Sequence, residues 1–282
     1  MNLWFLQPRA ELKPCIQSIW VFESDRGLPV SDLSMAAPNG CPKLVVNLEN
    51  SLISSAQGQA HETREQSLSF IGVRSLPVML STPAGKTSFV GIEFMPTGAF
   101  PILGIPMAEL ADRLIPADNL SGFLNASVTD RIWNREGIKE KVDLIQAQLL
   151  DAASRGHARN LHTLSPIVEF CVDHLRRTNG AATISDLEAR TGYSRRFLEI
   201  LFKRYVGVSP KTLAGIFRFQ WFYGKMARGK SYDAVKEDLY DLFYDQSHFR
   251  NEFRKMTGFS PRNYSRNVRN EFGRRVALAH TS

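Results

Sequence analysis

The sequence predicts a two-domain α+β protein. Its N-terminal domain is mostly β and barrel-like with short helices. Its C-terminal domain is all-α, with two helix-turn-helix units joined by a long helix. Three observations predict this. Short apolar segments bounded by Pro and Gly fill residues 1 to about 120. Helical periodicity takes over from Ser165, and the C-terminal part repeats itself at a displacement of 51 residues.

The first segment, Ile16 to Phe22, is apolar and rich in β-branched residues, and Lys43 to Leu48 follows the turn-forming Pro38-Asn39-Gly40. Ser67 to Val73, Leu76 to Ser81 and Thr87 to Phe94 complete the expected strands. Several short strands at this spacing suit a barrel or sandwich. Gly98 to Leu103 and Met107 to Leu114 read as short helices, and the polar stretch Gln57 to Gln66, with His61-Glu62, as a loop or hairpin tip.

Gly137 to Ala153 is a helix on its pattern. Ile138, Val142, Ile145 and Leu149 form one apolar stripe, which packs either on its own domain or on a second subunit as a homodimer contact. Ser154 to Thr163 has no period and reads as a linker. Ser165-Pro166 then opens a run of seven helices, broken at Gly180, Gly192, Gly207, Gly229, Leu242 and Gly258. The expected division is 1–153 for a sensor or dimerisation domain, 154–163 for the linker, 164–268 for the helical domain, and 269–282 for a basic tail.

Charge is divided along the chain. Residues 165–282 hold 21 Lys and Arg against 12 Asp and Glu, a net +9, while residues 1–164 hold 14 against 16, a net −2. A basic C-terminal part suits a polyanion. A globular composition, 43% hydrophobic and 22% charged, excludes a disordered chain. No apolar run reaches the length of a membrane span, and the first residues lack the pattern of a signal peptide. Three cysteines without metal spacing suit the reducing cytoplasm.

In the repeat, Tyr193 matches Tyr244, Leu198 matches Phe249, Phe202 matches Phe253, and Lys203 matches Arg254. Gly207 matches Gly258, and Ser209-Pro210 matches Ser260-Pro261. Each copy is a helix-turn-helix, expected over 184–205 and 232–257, with Ser194 or Asp245 capping its second helix. Leu198, Leu201 and Phe202, and in the second copy Phe249, Phe253 and Met256, should face inward. Outside remain Arg195, Arg196 and Glu199 in the first copy and Gln246, Ser247, Arg250 and Asn251 in the second. These are the candidates for reading base edges, because Arg, Gln and Asn form paired hydrogen bonds with guanine and adenine. Ser194, Lys203, Arg204, His248, Arg254 and Lys255 are candidates for phosphate contact, which positions without specifying. The joining segment Pro210 to Arg228 is rich in aromatic residues and fixes the spacing of the units.

From Ser165 to Val268 the chain resembles the AraC/XylS family of bacterial transcription regulators. The likeness rests on Ile184-Ser185-Asp186-Leu187, Gly192 to Leu198, Gly207-Val208-Ser209-Pro210, and Tyr244-Asp245-Gln246-Ser247-His248-Phe249 through Phe259 to Tyr264. The N-terminal part is similar to one subgroup's sensor domain through Pro38-Asn39-Gly40-Cys41, Phe70-Ile71-Gly72, and Gly91 to Pro106. The resemblance implies a regulator, an activator among its roles, with double-stranded DNA and RNA polymerase as partners and a small-molecule effector. Ile200 and Asn251 stand where many members carry Arg, so no base preference is carried over. Glu237 to Leu242 replaces the small residues expected before Phe243-Tyr244, which implies a shorter or differently packed first helix in the second unit.

No Gly-x-Ser-x-Gly, phosphate loop, His-Glu-x-x-His or Cys-x-x-Cys is present, so neither an enzyme nor a cofactor or metal site is expected. Cys41 reads as a buried structural thiol or a reactive sensor thiol. The competing reading is a small-molecule-binding or modifying barrel fused to a non-specific DNA anchor.

Overall fold

The computed structural model describes residues 1–28, 34–56, 58–120, 126–158, 165–235, 246–268 and 270–279. The N-terminal half contains β1 (Asn2–Leu6), β2 (Ile16–Ser24), β3 (Met35–Ala36), β4 (Lys43–Glu49), β5 (Leu52–Ala56), β6 (Gln59–Thr63), β7 (Ser67–Ile71), β8 (Val78–Ser81), β9 (Thr87–Phe94) and β10 (Leu114–Pro116). They form two antiparallel sheets, one ordered β1-β2-β9-β4-β7-β10 and the other β3-β8-β5-β6. The N-terminal half is β-rich as expected, built as two sheets that are not closed into one barrel.

The larger sheet is buried on both faces, so its central strands read as continuous apolar runs. Alternate residues part to opposite sides. Ile19, Val21, Leu44, Val46, Val90 and Ile92 join the main core with the helices. Trp20, Phe22, Val45 and Phe89 join a second cluster toward the smaller sheet. The expected strands at 16–22, 43–48, 67–73, 76–81 and 87–94 are present, whereas β1, β3, β5, β6 and β10 were not anticipated. The helix expected over Met107 to Leu114 is a 3-10 turn at Met107–Glu109 that leads into β10. The polar stretch read as a loop or hairpin tip lies in the β5–β6 hairpin, with β6 as its second arm and His61 in register with Ser54.

Two short helices follow, α1 (Phe100–Leu103) and α2 (Ala126–Trp133), and then α3 (Ile138–Ala158). The stripe on α3 turns inward. Val142, Ile145 and Leu149 are buried at 1% exposure or less in the chain's own core, and Ile138 is packed against it. The stripe therefore packs on α1 and the N-terminal core, the first of its two expected placements. Helix α3 also runs five residues past the expected boundary, so only 159–163 of the linker lies outside the described residues.

The C-terminal half is α4 (Ser165–Arg177), α5 (Ile184–Thr191), α6 (Arg195–Tyr205), α7 (Pro210–Ala227), α8 (Tyr232–Val235), α9 (Gln246–Thr257), α10 (Pro261–Asn267) and α11 (Glu271–Ala279). Breaks fall at Gly180, Gly192, Gly207, Gly229 and Gly258, all with positive φ. Leu242, Phe243, Tyr244, Asp245 and the Glu237 to Leu242 stretch lie outside the described residues. The expected basic tail is instead the helix α11, which packs on α7 and β3 with Phe272 buried.

Candidate nucleic-acid interface

Helix α5 begins in a capping box, where the Thr183 hydroxyl accepts from the Asp186 N–H and the Asp186 carboxylate accepts from the Thr183 N–H. That contact holds the Asp186 carboxyl below the usual carboxylate range. Gly192 closes the helix in the left-handed conformation, and the Ser194 hydroxyl then caps α6 by accepting from the Phe197 N–H. A tight turn between two capped helices sets α6 across α5.

One face of α6 is buried through Leu198, Leu201, Phe202 and Tyr205. Arg195, Arg196 and Lys203 lie exposed on the other side with Ser194, and Glu199 is half-buried. Arg195 is held by Glu199, with Nε 3.0 Å from its carboxylate, and its N–H donates to Glu188. Arg196 and Lys203 have no ion-pair partner among the described residues. Ile200, one turn beyond Arg196, is 56% exposed, which places an apolar side chain on the outward face.

The second unit repeats this. Phe249, Phe253 and Met256 are buried, while Ser247, His248, Arg250, Asn251, Arg254 and Lys255 are exposed along α9. The Gln246 side chain lies outside the described residues. The copies also end alike. Gly207 and Gly258 have φ of 99° and 81°, a left-handed turn that a side chain would strain. Ser209 and Ser260 then cap α7 and α10 by accepting from Thr212 and Asn263 N–H groups.

Helix α7 holds the two units together. Phe222 lies 4.5 Å from Phe249, and Phe219 lies 5.6 Å from Phe253, ring centre to ring centre. Arg218 reaches both sides: it donates to the Gly180 carbonyl at 2.6 Å and to Glu252 on α9 at 3.4 Å. His248 sits 3.7 Å from the same carboxylate.

Arg204 is exposed beside Lys203 and also reaches the N-terminal half. Its guanidinium lies over the Phe100 ring at 5.5 Å, and the tilted Tyr205 ring lies 4.5 Å from it, centre to centre. Helix α6 therefore rests its last turn on the N-terminal half. Helix α7 does likewise, through the Gln220 amide donating to the Pro38 carbonyl.

Between the two sheets lies a cavity of about 400 Å³. Trp20, Val45, Ile71 and Phe89 line it from the larger sheet, and Leu52, Val78 and Leu80 from the smaller. Lys43, Arg74 and Arg113 stand among the lining residues with Asp112, so basic groups are in excess. Lys43 is tied to the buried Glu93 at 2.9 Å. Arg74 keeps a buried Nε without a partner, and burial lowers its pKa. Phe272 and Val276 of α11 complete the wall. These residues were not singled out from the sequence, since a cavity between sheets is a product of pairing that local pattern does not show.

Cys41 is buried, and burial, reinforced by the Glu93 charge, pushes its thiol up to about 12. That is structural rather than reactive chemistry. Among the described residues no group of His, Cys, Asp and Glu could hold a metal, and no helix is long and apolar enough to cross a membrane.

Residues 5–116 match a domain of unknown function, DUF6597. The chain is similar to the F1 operon positive regulatory protein of Yersinia pestis, 31% identical over 103 residues. That match takes in 36% of this chain and 33% of the relative, so it spans about a third of that protein's length. Among solved structures, ToxT from Vibrio cholerae is similar at 11% identity and a TM-score of 0.44, covering 87% of this chain and 97% of that one. The AraC-like transcriptional activator CuxR is similar at 16% identity and a TM-score of 0.24, covering 73% of each chain.

Proposed function

We propose that this chain, of the AraC/XylS type, is a sequence-specific DNA-binding transcription regulator that reads two adjacent major-groove segments with α6 and α9. One observation carries the reading. Two helices in the same 51-residue register bury matching apolar residues and turn matching polar faces outward. The exposed Arg196, Ser247, Arg250 and Asn251, with Gln246 at the start of α9, are the base readers. Glu199 and Arg195, which are paired, orient one another at the same surface. Lys203, Arg254 and Lys255 meet phosphates, with Ser194 and His248 at the helix starts. Arg204, exposed beside Lys203, joins the phosphate contacts while its guanidinium also lies over the Phe100 ring. Ile200 supplies an apolar contact suited to a thymine methyl group.

A chain that carries both units needs no second copy to engage two groove segments. The division into a sensor half and a DNA-reading half near 164–268 is part of the same proposal. The cavity has the size of a small-molecule site, and its apolar walls with excess basic groups suit an amphipathic anion as effector. RNA polymerase is the partner through which DNA occupancy would act on transcription.

Footprinting of the full chain on the DNA upstream of its own gene tests this. Two protected stretches about one helical turn, roughly 10 base pairs, apart are expected. Affinity should fall steeply with salt, by about 0.9 in log K per tenfold salt for each neutralised phosphate. Binding of equal strength to any duplex would favour the non-specific anchor instead.

A further inference from the structure

Helix α11 belongs to the C-terminal half by sequence, yet its side chains complete the N-terminal cavity. Phe272 is 3% exposed, and its ring centre lies 5.7 to 6.3 Å from those of Trp20, Phe22 and Phe89. Val276, one turn on, faces the same space. Just before the helix, the buried Asn270 side chain accepts from the Met35 N–H at 3.0 Å and donates to the Met35 carbonyl at 2.9 Å. This pairs it with β3 as a neighbouring strand would. The same amide lies 3.3 Å from both the Tyr223 hydroxyl on α7 and the Tyr264 hydroxyl on α10, which are 3.0 Å from each other. Asn270 thus joins the cavity rim, the joining helix and the end of the second reading unit. Gly273 lets this contact form, because a Cβ there would overlap the Met35 carbonyl.

We propose that α11 is a latch. An occupant of the cavity rests on Phe272 and Val276 and so holds the helix, and through Asn270 the second reading unit, in the docked position. The inference rests on the reading of the cavity as a ligand site. The physical reason is differential affinity. An occupant that touches α11 loses part of its wall when the helix leaves, so it must favour the docked state. The proposal includes that DNA binds the docked and undocked arrangements with different affinity, so that by linkage DNA binding and cavity occupancy change each other by the same factor.

The test uses the full chain and 1-anilinonaphthalene-8-sulfonate, a probe with an apolar body and an anionic end. In the wild type, saturating probe should slow amide exchange of Met35 and of residues 271–276 by about five-fold or more and change DNA affinity by a similar factor. Phe272→Ala should weaken the probe about five-fold, and Phe272→Leu should restore most of that loss. In Asn270→Ala the probe should still bind while DNA affinity no longer responds. Failure of the probe to bind the wild type would overturn the proposal. So would unchanged exchange in α11 with the probe bound, or an Asn270→Ala protein that responds to the probe as the wild type does. A wild type that binds no DNA, with α11 still protected by the probe, would remove the DNA reading and leave the latch standing.

Discussion

Cys41 illustrates how environment decides what a residue can do. The sequence leaves its thiol open to either reading, because position in a Pro-Asn-Gly-Cys turn does not reveal burial. In the fold it is enclosed beside Lys43 and the charged Glu93, with its pKa pushed up to about 12. At pH 8 it is then held as the thiol, not as the reactive thiolate. Cys41 should therefore stay unlabelled by a thiol reagent at pH 8 and be labelled once the chain is unfolded in denaturant, as read by peptide mass spectrometry. Rapid labelling in the folded protein would contradict its placement. Inward positions such as Leu198, Phe202, Phe249 and Phe253 were legible because helical spacing alone sorts them. The contact of Arg204 with Phe100 was not, since the two lie 104 residues apart and no local pattern joins them.

Among the elements, α7 sets the distance between α6 and α9, and Arg218 is its polar anchor. Its guanidinium satisfies the Gly180 carbonyl before α5 and the Glu252 carboxylate on α9 while only 14% exposed. A charge-assisted hydrogen bond of this kind contributes about 1.5–3 kcal/mol. Arg218→Ala should lower stability by about that amount, seen as an earlier urea midpoint, and Arg218→Lys should recover only part of it because Lys lacks the planar fork. An unchanged midpoint would mean that aromatic packing alone holds α7. The strands at 16–24 and 87–94 were legible as apolar runs, and the repeat gave α6 and α9 to within a residue or two. Helix α11 was hidden by Arg274 and Arg275, which made the segment read as a basic tail. Phe272 and Val276, four residues apart, carried the signal for a buried face.

In the whole molecule the two halves share one continuous core. Leu44 and Val90 of the sheet belong to the same cluster as Leu213 and Phe219 of α7. Sequence reasoning separates the halves, because composition and period change near residue 160, but it does not show that they dock. The docking depends on contacts such as Asn270 with Met35, which are 235 residues apart. The two-sheet arrangement escaped for the same reason, since strand order is a matter of long-range pairing. The placement of α6 on the N-terminal half leaves Arg196 and Lys203 outward, and this permits a direct separation of their roles. Fluorescence anisotropy of the full chain on its footprinted site and on a random duplex, across a salt series, provides it. Arg196→Ala should cost about 1–3 kcal/mol on the footprinted site and little on random DNA. Lys203→Ala should weaken both duplexes alike and lower the salt slope by about one. The same uniform loss from both substitutions would show that α6 reads no bases.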